Sequence, residues 1–109
     1  MKKNILFRVD YNKTIGYGHL SRCLNLASLF IKYGHNVLII LKSNEKKIPL
    51  KYSNKINFIN LKKKISINKD SEFLLKIFKE KNIDYLILDM EHKINKKKIY
   101  EKFLSKIKT

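Results

Sequence analysis

Four short apolar runs constrain this 109-residue chain more than any other feature: NILFRV at 4–9, NVLIIL at 36–41, INFINL at 56–61 and DYLILD at 84–89. The third is the weakest and the last the clearest. A continuous apolar run of such length, following a helix-like segment, belongs to a strand covered on both faces, as in a parallel sheet. The segments between the runs can supply the cover. From Leu20 the apolar positions fall at 20, 23, 24, 27, 30 and 31, a helical period. Leu26 and Leu29 widen that face, so this helix is expected to be buried over much of its circumference. Gly34 is its natural stop. Asp70 or Ser71 can cap a second helix running to Lys81, with Phe73, Leu74, Ile77 and Phe78 on one face. A final helix spans about 95–107, with Ile99, Phe103, Leu104 and Ile107 together. Residues 42–54, which hold the single proline Pro49, read as a loop, and 62–69 as a lysine-rich connection. Strands alternating with helices predict an α/β fold with a parallel sheet, flanking helices and right-handed crossovers. No repeat and no long linker divides the chain, so residues 1–109 read as one domain.

Charge points outward to a partner, but composition offers a second account. The formal net charge is +16, which suits an anion such as a nucleotide, a nucleic acid or a membrane. The 25 cations comprise 23 Lys and 2 Arg, and Lys, Ile and Asn together make 50 of the 109 residues. All three have A/T-rich codons, so a low-GC genome produces the same excess with no function attached. The lysines are also scattered through every polar stretch, which reads first as a solvated surface. Nucleic-acid binders concentrate arginine and interleave exposed aromatics, so nucleic acid is an unfavoured partner. The one cysteine, Cys23, excludes an intrachain disulfide and fits a reducing compartment. It falls on the apolar stripe with Leu20, Leu24 and Ala27 and reads as core. The first apolar run is broken by Arg8, too early for a signal-peptide core. No window approaches the roughly 18 apolar residues of a membrane span. A cytoplasmic protein is expected, and with no Cys/His cluster at ligand spacing, no metal.

The chemistry-bearing stretch is IGYGHLSRC at 15–23. It holds two of the three glycines and one of the three histidines. It lies between the first strand and the first helix, at the end of the sheet where open α/β folds bind ligands. Gly16 and Gly18 flank Tyr17 and allow a tight turn and close backbone approach. The helix start offers unpaired N–H groups and partial positive charge, suited to an anion. That potential disfavours imidazolium, so His19 in the first turn is suited to act as a neutral general base toward water. Asp10, at the strand end, can orient that ring or bind a sugar hydroxyl. Arg22, one turn on, can meet a phosphate or hold a loop carboxylate. Asp89 ends the strongest strand at the same rim, with His92 just beyond it, whereas His35 reads as an exposed turn residue. The plainer account of the same residues is a capping loop with a bonded histidine and a surface arginine. The dinucleotide fingerprint fails for want of a third glycine and of an acid after the second strand, and there is no G-K-[ST].

The stretch FRVDYNKTIGYGHLSRCLNLA, residues 7–27, resembles the N-terminal signature of the UDP-sugar hydrolases of pseudaminic acid biosynthesis. That signature reads F-R-x-D, then I-G-x-G-H, then R and an apolar helix, and related spore-coat polysaccharide proteins share it. The resemblance implies a Rossmann-like domain, the incomplete N-terminal half of a GT-B-like fold whose active site lies between two halves. It implies hydrolysis of UDP-2,4-diacetamido-2,4,6-trideoxy-β-L-altropyranose to UDP and free sugar, without a cofactor. His19 matches the histidine associated with the attacking water. Gly16, Tyr17 and Gly18 match the loop around it, and Arg8, Asp10 and Arg22 the remaining signature positions. The family's chain is longer, and its second half supplies most of the uridine-diphosphate pocket. A second domain or chain is therefore expected to complete the cleft here. Members carry an aromatic in the turn after the second aspartate, where this chain reads DMEH at 89–92. Two other functions compete: a GT-B-type UDP-sugar glycosyltransferase N-terminal domain, and a non-catalytic basic nucleic-acid-binding module.

Overall fold

A computed structural model describes residues 2–11, 18–42, 55–61, 66–89 and 101. The loop expected over 42–54 falls, but for Lys42, outside these residues, and so does the helix expected over 95–107, but for Glu101. The elements run β1 (Asn4–Asp10), α1 (Gly18–Lys32), β2 (Asn36–Lys42), β3 (Asn57–Leu61), α2 (Ile67–Glu80) and β4 (Tyr85–Asp89). All four strands are parallel in one sheet of order β3-β2-β1-β4. The molecule is thus a small α/β domain.

Period-two alternation in β1 and β2 divides the core into two layers. Ile5, Phe7 and Val9 of β1 join Val37, Ile39 and Leu41 of β2 beneath Leu20, Cys23, Leu24 and Ala27 of α1. Leu6 and Ile40 point the other way and meet Leu74 and Ile77 of α2, with Leu61 and Ile83. Both strands are buried on two sides, which is why they read as unbroken apolar runs. The connection β1–α1–β2 steps one way along the sheet and β3–α2–β4 steps back past β1. Crossovers of one hand that run in opposite directions must lie on opposite faces. The two helices do.

Three local readings need correction. Leu26 and Leu29 are 38% and 47% exposed. The helix lies against one face of a single sheet, so only one stripe of it is buried and the flank stays out. The second helix begins at Ile67, inside the stretch taken for a connection. Its N-cap is neither Asp70 nor Ser71 but Ser66, an extended residue whose Oγ accepts the backbone N–H of Lys69 at 3.2 Å. Asp70 and Ser71 are buried within the helix, and the Ser71 hydroxyl donates to the Asn68 carbonyl. His35, expected to be exposed, is half-buried. Its Nδ1 accepts the Lys3 backbone N–H at 3.1 Å, and its ring meets that of Phe30 edge-on. Cys23 is core, at 5% exposure.

Both helices end in the same device. Gly34 at φ +89° closes α1: its N–H bonds the Ile31 carbonyl and that of His35 the Phe30 carbonyl. Asn82 at φ 51° closes α2 the same way, through Asn82 to Lys79 and Ile83 to Phe78. A Cβ on Gly34 meets no atom within 4 Å, so an alanine there is strained in its backbone alone. Gly34→Ala should cost about 1–2 kcal/mol in urea unfolding, and an unchanged midpoint would contradict the left-handed closure.

Candidate active site

The strand order reverses at β1, which makes the carboxyl ends of β1 and β4 the switch point where open α/β sheets bind ligands. Asp10 is the last residue of β1 and Asp89 the last of β4. The register pairs Val9 with Asp89 and Asp10 with Lys42, so the three polar residues end adjacent strands side by side. The Tyr11 N–H donates to the Lys42 carbonyl at 3.1 Å and carries the β1–β2 pairing one residue further.

Helix α1 starts at this same edge. Gly18 is its first residue and His19 its second, so the histidine lies in the first turn, among the N–H groups with no intrahelical acceptor. No acidic residue occupies that turn to offset its positive potential. A Cβ built on Gly18 meets no atom of the described residues within 4 Å. Arg22 is exposed one turn further on. Gly16, Tyr17 and His92 lie outside the described residues.

The sequence reading missed the arrangement behind the rim. Arg8 points to the α2 side of the sheet and is 0% exposed. Its Nε donates to Asp70 Oδ1 at 3.0 Å and its Nη2 to Asp70 Oδ2 at 2.5 Å, a bidentate fork. Its Nη1 donates to the Val9 carbonyl at 3.0 Å and to Asp10 Oδ1 at 2.9 Å. Asp70 belongs to the first turn of α2 and its side chain is 2% exposed, against 13% for Asp10. One guanidinium therefore joins the end of β1 to the start of α2. Burial alone would lower the Arg8 pKa, but the bond to Asp70 and the charges of Asp70 and Asp10 outweigh it and raise the pKa above the ordinary arginine value. Each partner carried a signal. Arg8 interrupts an apolar run, and Asp70 lies on the stripe of Phe73, Leu74 and Ile77: opposite charges at two core positions.

A cleft of about 330 Å³ opens at the opposite, amino-terminal edge, between Asn4, Asn36, Asn57 and Lys81. Two of its amides are engaged in fastening the sheet. Asn4 Nδ2 donates to the Lys81 and Asn82 carbonyls, and Asn36 Nδ2 to Asn4 Oδ1. This cleft lies at the end of the sheet away from His19 and Asp10.

Among the described residues no group of His, Cys, Asp and Glu has the arrangement to hold a metal, and no helix is long and apolar enough to cross a membrane. Described lysines are exposed or half-buried, and of the two arginines only Arg22 reaches solvent. Compared with protein-family models, curated proteins and solved structures, the chain finds no match.

Proposed function

We propose that this chain is the catalytic-base half of a UDP-sugar hydrolase with a GT-B-like architecture, acting on a 2,4-diacetamido-2,4,6-trideoxy sugar. The observation that supports it is that α1 begins and β1 ends, in Asp10, at the same carboxyl edge of the sheet, the switch point. The first brings His19 and a helix N-terminus, the second a carboxylate. The helix start favours the diphosphate, and the sugar lies toward Asp10, whose carboxylate accepts a hydroxyl. Asp89 is the second acid at this rim. Water adds across the bond between anomeric carbon and β-phosphate, and neutral His19 takes its proton. Arg22 adds charge for the diphosphate. UDP and free sugar leave. A second domain or chain closes the cleft over the uridine, and the protein works in the cytoplasm.

The test is UDP release by the full-length protein from UDP-2,4-diacetamido-2,4,6-trideoxy-β-L-altropyranose, with and without a lipid-linked acceptor. Release that needs no acceptor is expected. Release only with acceptor would make the protein a glycosyltransferase of the same architecture, and no release in either case would remove the hydrolase reading. A basic nucleic-acid module has one exposed arginine to draw on among the described residues; tight, steeply salt-dependent binding of single-stranded DNA would restore it.

A further inference from the structure

The inward residues on the α2 side of the sheet are aliphatic at Leu6, Ile40, Leu74 and Ile77, and the layer turns ionic only where it reaches the carboxyl edge. Packing does not require this. A buried ion pair commonly contributes no more stability than apolar side chains of similar volume. What the ionic version adds is geometry. The Arg8 fork is locked to α2 by the two bonds it donates to Asp70, and its Nη1 donates to the Val9 carbonyl and Asp10 Oδ1. Both the backbone leading into Asp10 and the carboxylate itself are held. Asp10 keeps 13% of its side-chain surface in solvent, so the held group still faces the rim.

We infer that Arg8 and Asp70 are positioning residues, which hold the Asp10 carboxylate where it accepts a hydroxyl of the sugar. This rests on the hydrolase reading and extends it to two residues with no contact to substrate. Because Asp10 engages the sugar in the ground and transition states alike, loosening it raises KM and spares kcat. The loss of one hydrogen bond to a charged group corresponds to about a tenfold or larger weakening.

The experiment replaces the pair with apolar residues of similar size, Arg8→Met with Asp70→Leu, in the full-length protein. It reads urea unfolding and the kinetics of UDP release together. The expected result is a midpoint near that of wild type, KM raised about tenfold and kcat within about threefold. A stable double variant with wild-type KM would overturn the inference, since a merely structural pair predicts that outcome. Should the double variant not fold, Arg8→Lys decides by the same readout. It keeps the charge and loses the fork, so raised KM supports positioning and unchanged KM overturns it. A wild-type protein that releases no UDP defeats the hydrolase reading itself and this inference with it, a result distinct from either variant outcome.

Discussion

Arg8→Ala unfolds at a urea concentration lower by the equivalent of about 3–5 kcal/mol. The estimate follows from what the truncation leaves behind. Asp70 is buried in the first turn of α2 with both carboxylate oxygens on the guanidinium. Without it, a charged group stays in a low-dielectric layer beside Leu6 and Leu74 with its fork partner gone. Removing one member of a buried pair is far costlier than replacing both. The loss is a large part of the roughly 5–15 kcal/mol that holds a domain together. Arg22→Ala is the control: the residue is exposed, and losing an exposed charge and any surface pair it makes costs about 1 kcal/mol at most. Equal effects at the two arginines would contradict the buried fork. The pH dependence has a definite sign. The folded-state Arg8 pKa is raised, so the folded chain holds that proton more tightly than the unfolded one. The guanidinium's stabilisation is therefore complete below its unfolded value and is lost only as pH rises through the folded one.

Much of this architecture is legible in the residues, and for a physical reason. A strand buried on two faces has no polar face to alternate with, so β1 and β2 stand out as runs; the edge strand β4 does so because Ile87 packs half-buried on one layer and Leu86 and Leu88 on the other. The end of α1 is legible because a left-handed residue is needed there and Gly34 supplies it; Asn82 does the same less visibly for α2. The start of α2 is not, because a capping serine and a buried aspartate four residues on offer the same local signal. Tertiary structure decides between them. Asp70 faces Arg8, 62 residues away, and local sequence reasoning has no access to a pairing at that separation. The outward flank of α1 is hidden for a related reason. Leu26 and Leu29 extend the apolar arc whether or not anything covers them. At the site, the positions of Asp10, Gly18, His19, Arg22 and Asp89 on their elements follow from the strand and helix boundaries. The bonds that fix Asp10 do not.

His19→Ala should lower UDP release by about 100- to 10,000-fold, the range of a positioned general base. The expectation rests on the histidine's place in the chain. The second residue of α1 sits among unpaired N–H groups, in a first turn with no acid. The proposed role needs a neutral ring, and a helix N-terminus disfavours a further positive charge. KM should change little, because the proton is transferred only in the transition state.

Turnover and urea unfolding of wild type and His19→Ala, measured side by side on the full-length protein, decide whether His19 is the base. The expected result is an unfolding midpoint close to that of wild type together with a fall in kcat of at least about 100-fold. A folded His19→Ala protein that releases UDP at the wild-type rate would contradict it.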